Sequence, residues 1–204
     1  MEIPSSEFAA LRAELERQPI PLNRYRVRTG SGRSQTWGIV NKRCLPPDYS
    51  RLCWGRPYLY KLLLDFGAKW VDLSWNAVTV NDNYKAGPHR DKHNIGNSFL
   101  VAFGSYEGGE LELLEGDSKG LYDVCQKPLL HDFKKDLHRV RDWTGQRYSL
   151  VYYWCDTRGQ QLPPATVKEE NGKWCFYRGD TLVTKDSPLP HPKVGVSMKS
   201  YKSE

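Results

Sequence analysis

The chain lacks the features that would place it in or across a membrane. No apolar run in its 204 residues approaches the roughly 18 that a span requires. The opening Met-Glu-Ile-Pro-Ser-Ser-Glu has neither the basic nor the apolar region of a signal peptide. The expectation is an intracellular protein without a membrane partner, nuclear in a eukaryote and otherwise cytoplasmic. Cysteine is scarce: Cys44, Cys53, Cys125, Cys155 and Cys175 are odd in number and form no CxxC, which argues against a disulfide framework and against a zinc knuckle. No internal repeat is seen. Acidic residues are missing from 22–43, which carries Arg24, Arg26, Arg28, Arg33, Lys42 and Arg43, as much net positive charge as the +6 of the whole chain. Such a block attracts a polyanion by neutralising phosphates and releasing counterions. It is equally the pattern of a solvated basic edge strand protected against aggregation.

What is present reads as a soluble globular chain, 39% hydrophobic and 26% charged, of a length that suits one domain. Phe8, Leu11 and Leu15 recur at helical spacing between Ser5 and Gln18, where Pro19 ends the run. Residues 23–29 and 35–40, split by Gly30-Ser31-Gly32, read as a basic hairpin. A second helix is predicted from Pro57 to Phe66, with Gly67 just past its end. From Val71 the period changes to two. Strands are expected around Val71, Leu73, Val78 and Val80, then over 98–103, 110–114 and 147–154, with turns at Gly108-Gly109 and Thr144-Gly145. Residues 160–166, with Pro163-Pro164, read as a linker. A terminal hairpin (174–177 and 181–184) and a polar tail follow. The fold class is α+β, an antiparallel sheet preceded by helices. Residues 1–158 form the main domain, and 159–204 a hairpin and tail that could pack on it.

Histidine is also sparse, and its placement is informative. His89-Arg90-Asp91 follows a strand and a Gly87-Pro88 turn. In an extended segment, positions i and i+2 point the same way with Cα atoms roughly 6–7 Å apart. An imidazole and a carboxylate can then close on one metal from one side. A further His from a distant strand would complete a 2-His-1-carboxylate set, which leaves open positions on Fe(II) for oxidant and co-substrate. Of the other histidines, His191 sits between two prolines in the tail and His93 crowds the same segment as Asp91. His131 and His138 remain, and His138, directly ahead of the strand that carries Arg147, is better placed. On that strand, alternation puts Arg147, Ser149 and Val151 on one face and Tyr148, Leu150 and Tyr152 on the other. An inward-facing guanidinium needs an anionic partner. Either a protein carboxylate or a dicarboxylate co-substrate, bound through paired hydrogen bonds, would serve.

Taken in order, His89-Arg90-Asp91-Lys92-His93-Asn94, the strand 99–103, Gly108-Gly109-Glu110-Leu111, His138 and Gly145-Gln146-Arg147-Tyr148-Ser149 resemble the 2-oxoglutarate/Fe(II) dioxygenases. The His-x-Asp-x-x-Asn form is similar to the TET/JBP branch, which oxidises the methyl of thymine or 5-methylcytosine. The resemblance covers about 71–154 and implies a double-stranded β-helix (jelly-roll) core with flanking N-terminal helices. It implies His89, Asp91 and His138 as ligands of Fe(II), and Arg147 with Ser149 as the seat of 2-oxoglutarate. O2 would be the oxidant and ascorbate a possible reductant. Asn94 would hydrogen-bond the base, although Asn ahead of Ile95-Gly96-Asn97 is also a turn signal. The partner implied is nucleic acid, DNA first. Arg24, Arg26, Arg28 and Arg33 would then hold phosphates, and Tyr25 or Trp37 is a candidate stacking ring, Trp37 reading more readily as core. The alternatives are a dioxygenase of a protein side chain or small molecule, and a non-catalytic nucleic-acid binder on the same fold.

Overall fold

The chain is described by a computed structural model covering residues 1–22, 30–41 and 46–187. A 3-10 turn over Ser5–Phe8 leads into α1 (Ala9–Arg17), followed by β1 (Gly30–Val40), β2 (Asp48–Tyr49), α2 (Leu52–Gly55) and α3 (Pro57–Trp70). The sheet-forming half continues with β3 (Ala77–Ala86), β4 (Asn94–Gly108), β5 (Leu111–Leu113), β6 (Gly120–Tyr122), β7 (Leu129–His131), β8 (His138–Val140) and β9 (Trp143–Cys155). Three last strands follow, β10 (Ala165–Glu170), β11 (Lys173–Arg178) and β12 (Thr181–Val183). Among the described residues no helix is long and apolar enough to cross a membrane.

The strands pair antiparallel into a large sheet of order β2-β1-β3-β9-β4-β7, a small sheet of order β6-β5-β8, and a third of order β10-β11-β12. Period-two alternation divides the large sheet cleanly. Val78, Val80, Val101, Phe103, Tyr148, Leu150 and Tyr152 face one way and bury against Leu11 and Leu15 of α1 and Leu59, Leu63 and Phe66 of α3. Full burial of side chains of this size stabilises by about 1.5–3 kcal/mol each. From the other face, Leu100 and Ala102 meet Leu111 and Leu113 of the small sheet together with Val124 and Phe133. The result is a layer of helices, a large sheet and a facing small sheet. The space between the two sheets is where Arg147, Ser149 and Val151 point, as the alternation predicts.

Several sequence-based expectations are corrected. Helix α3 does not end at Gly67 but runs on to Trp70. A Cβ on Gly67 would lie 2.3 Å from the Trp75 ring, so this glycine makes room for packing and is no cap. Val71 and Leu73 precede β3 as irregular, half-buried chain. The turn expected at Thr144-Gly145 lies inside β9. There Gly145 takes φ +92, and a Cβ would lie 2.2 Å from the Ser105 carbonyl oxygen of the neighbouring strand. The linker expected over 160–166 ends early, because Ala165 opens β10. That strand's charged residues Lys168, Glu169 and Glu170 are exposed, and Val167 is its one buried residue, so it carries little periodic signal. The third sheet packs through Phe176 onto Tyr49, Trp54 and Tyr60. Strand β1 pairs with β2 and β3. The first arm of the expected basic hairpin, 23–29, lies outside the described residues, as do Lys42, Arg43 and the tail from 188. Trp37 is fully buried in the core.

Candidate metal and anion site

The segment after β3 is drawn into the small sheet by backbone pairing. The N–H of His89 donates to the carbonyl of His138 at 3.0 Å and the N–H of His138 to the carbonyl of His89 at 3.0 Å, while the Asp91 N–H donates to the Phe133 carbonyl at 3.0 Å. These bonds put the His89, Asp91 and His138 side chains together, with their ligand atoms all within 4.8 Å of one another. Each imidazole is also oriented through its other nitrogen. Nδ1 of His89 lies 2.8 Å from the Gly87 carbonyl and Nδ1 of His138 3.1 Å from the Asp136 carbonyl. A carbonyl only accepts, so each Nδ1 carries the proton and each Nε2 presents its lone pair. His138 is buried (4% exposed). That burial, opposed by the Asp91 carboxylate, lowers its pKa and favours the neutral, ligating form. Oδ1 of Asp91 lies 3.6 Å from His89 Nε2, and Oδ2 accepts a hydrogen bond of 3.2 Å from the Asn94 amide. Two nitrogens and one carboxylate on one side of a pocket suit Fe(II) with open positions. The other described histidines are elsewhere. His131 pairs through Nε2 with Asp136 at 2.9 Å, and His93 is exposed.

The triad lines one cavity with Asn81, Asn94, Arg147 and Ser149. Arg147 is 3% exposed, and among the described residues no carboxylate lies within ion-pairing distance of it. Its guanidinium stands over the rings of Tyr106 (5.5 Å) and Trp143 (5.6 Å), and its Nε has no hydrogen-bond partner. Burial pushes its pKa down, with Tyr106 acting the other way. Since a guanidinium stays charged in proteins, this is a desolvated cation whose burial an anion would offset. Beside it the Asn81 amide donates to Ser149 Oγ at 3.0 Å, and Asn81 Oδ1 is buried without a partner. The donors fit a carboxylate, and the internal salt bridge that the sequence left open does not form. Sequence reasoning missed Asn81, Tyr106 and Trp143. Of these only Asn81, two residues from Thr79 on the inner face of β3, carried a signal. The Gly108-Gly109 turn has a part beyond the hairpin that the sequence predicts. Gly109 has φ +72, and a Cβ there would lie 2.9 Å from Arg147 Nε, so the guanidinium needs this glycine.

A second cleft, of about 300 Å³, adjoins the cavity and shares Ala86 and Val140 with it. Its walls are residues 85–88, which lead into His89, and 139–142, which lead away from His138. Three cations border it. Lys85 pairs with Asp142, while Arg139 (2.6 Å) and Arg141 (3.4 Å) share Glu112. Arg33 is not among the residues lining either cleft. Its Nη1 donates to the Ile20 carbonyl at 2.9 Å. Arg24, Arg26, Arg28 and Tyr25 lie outside the described residues.

No family model matches this chain, and no curated protein does. Among solved structures it is similar to NgTET1 in complex with 5mC DNA, at 17% identity over 76% of this chain and 70% of that one, with a TM-score of 0.52. A Pseudomonas putida prolyl-4-hydroxylase matches at 15% identity over 76% of this chain and 89% of that one, with a TM-score of 0.47. An oxidoreductase of the 2OG-Fe(II) oxygenase family from Burkholderia pseudomallei gives 15%, 71% and 76%, with a TM-score of 0.43. The chain is thus built on a double-stranded β-helix, the fold it shares with NgTET1, and it carries a His-Asp-His set between the large sheet and the small sheet that faces it.

Proposed function

We propose that the chain is an Fe(II)- and 2-oxoglutarate-dependent dioxygenase that hydroxylates the methyl group of a 5-methylpyrimidine, 5-methylcytosine or thymine, in nucleic acid. The observation that carries the enzyme class is the presence, in one cavity, of three convergent ligand atoms and a buried arginine without a counter-ion. His89, Asp91 and His138 would hold Fe(II). Arg147, with Ser149 and Asn81 beside it, would take the far carboxylate of 2-oxoglutarate. With these groups and O2 bound, the site would supply the oxidising chemistry for hydroxylating a C–H bond, 2-oxoglutarate being converted to succinate and CO2. The protein's own part is orientation and exclusion of water. The Gly87 and Asp136 carbonyls fix the imidazole tautomers. Tyr106 and Trp143 hold the guanidinium in place. Leu100, Leu111 and Phe133 make the cavity wall apolar.

Two observations favour a nucleic-acid substrate: the shared fold with NgTET1, solved with 5mC DNA, and the cleft edged by Lys85, Arg139 and Arg141 at the cavity's border. A duplex base would have to be flipped to reach the metal, and phosphates beside it would meet those cations. A protein side chain or small molecule is the second reading. It is favoured by Glu112 and Asp142, which already engage the same cations. The test is turnover with Fe(II), 2-oxoglutarate, ascorbate and DNA containing 5-methylcytosine and thymine, with nucleosides read by mass spectrometry. Hydroxylated nucleosides, absent with His89→Ala, are expected. Succinate without modified nucleosides would move the substrate to the second reading.

A further inference from the structure

The Asn94 amide nitrogen has two hydrogens and two acceptors, Asp91 Oδ2 at 3.2 Å and Ser98 Oγ at 3.0 Å. Its orientation is fixed by chemistry. An ionised carboxylate only accepts, so the NH2 and not the carbonyl oxygen must face Asp91. The arrangement depends on an irregularity in β4. Its pairing with β9 shifts register between Ile95 and Phe99, which brings Ser98 back beside Asn94. Asn94 is 5% and Ser98 0% exposed, so the pair is shielded from competing water. With both hydrogens committed, the amide has none left to donate, and only its carbonyl oxygen could meet a substrate base.

We infer that Asn94, anchored by Ser98, is a positioning residue that holds the Asp91 carboxylate so that only Oδ1 is offered to the metal. The inference rests on the reading of His89, Asp91 and His138 as an Fe(II) site, and is independent of the substrate. Its consequence is a matter of coordination number. A carboxylate free to turn can bind through both oxygens and take up a position that a three-ligand site leaves open for co-substrate and oxidant. Held at Oδ2, it contributes one. Partners of this kind outside the ligand set typically change metal affinity 10–100-fold when removed.

The experiment is anaerobic calorimetric titration of the full chain with Fe(II), and with Co(II), whose visible spectrum reports coordination number. Asn94→Ala is expected to weaken both metals by about 10–100-fold and to alter the Co(II) spectrum at saturation. Ser98→Ala, which removes only the anchor, is expected to weaken binding by a smaller factor. Metal affinity within twofold of the parent and an unchanged spectrum in Asn94→Ala would overturn the inference. A rise confined to the KM for nucleic acid would overturn it in favour of a base contact. If Asn94→Ala does not fold, judged by thermal melting of the metal-free protein, Ser98→Ala decides: several-fold weaker metal upholds the inference and unchanged affinity overturns it. Absence of metal binding by the parent protein would remove the Fe(II) reading itself, a result distinct from equal binding by parent and variant.

Discussion

Arg147 and His138 are nine positions apart in the chain, yet the walls that carry them are made differently. Arg147 stands on a strand of 13 residues paired on both sides, between β3 and β4, with its neighbours Tyr148 and Leu150 locked in the main core. His138 opens a strand of 3 residues that pairs with β5 at Leu113, and it is joined to His89 by two backbone hydrogen bonds, with its ring against Phe133 and its Nδ1 on the Asp136 carbonyl. The arginine wall is therefore fixed by a long strand in the main core and carries an unneutralised charge. The second wall, that of the candidate metal ligands, is made of short strands over a smaller core, joined by hydrogen bonds, and carries convergent lone pairs. On the proposed function, losing a ligand at the metal wall is expected to cost chemistry, and losing the arginine to cost co-substrate binding while relieving the metal-free protein of a desolvated cation.

That contrast can be broken by mutation, and the largest effect is expected at the metal wall. His138→Ala is expected to reduce 2-oxoglutarate-dependent succinate formation to background, with the metal-free protein still folded but melting somewhat lower, because a buried ring packed on Phe133 is removed. A variant that unfolds instead would mean the small sheet depends on this ring. Next comes Arg147→Met. Removing a buried charge-paired contact costs about 2–5 kcal/mol of binding, so the 2-oxoglutarate concentration for half-maximal turnover is expected to rise by about 30-fold or more. Denaturant unfolding of the metal-free variant is expected to give a stability equal to or above the parent's, since a buried charge replaced by an apolar side chain is often neutral or stabilising. A marked loss of stability would show that the guanidinium is already satisfied. Gly109→Ala sharpens the point. It places a Cβ against Arg147 Nε at a backbone position of φ +72, at a cost of about 1–3 kcal/mol, and is expected to raise the 2-oxoglutarate requirement by a smaller factor than Arg147→Met. The smallest effect is expected at the rim. Lys85→Ala is expected to weaken DNA binding modestly and to lower the salt-dependence slope by about 1. An unchanged slope would detach this cleft from the nucleic acid.

The same contrast explains what could be read in the sequence. The arginine wall was legible because a long strand with one buried face alternates strictly, so Arg147, Ser149 and Val151 separate from Tyr148, Leu150 and Tyr152 by period alone. The i, i+2 relation of His89 and Asp91 was legible for the same geometric reason. The strands β6, β7 and β8 were not, because three residues are too few to display a period. Asn81, Tyr106 and Trp143 come to Arg147 from other parts of the chain, and no local pattern announces such a meeting. Asn94 could be seen but not its duty, which depends on a register shift in β4 that Ile95-Gly96-Asn97 only hints at. The identity of the ligands could be read from residue types, whereas what holds them could not.

On the proposed function the two walls serve one site, with metal at one end and the anionic co-substrate at the other. The most direct measurement is the visible absorption of the protein under anaerobic conditions as Fe(II) and then 2-oxoglutarate are added. A charge-transfer band of a keto acid chelated to Fe(II) is expected that requires both additions, vanishes in His138→Ala, and in Arg147→Met appears only at much higher 2-oxoglutarate. Bound Fe(II) with no such band at any 2-oxoglutarate concentration, or a band indifferent to Arg147, would contradict it.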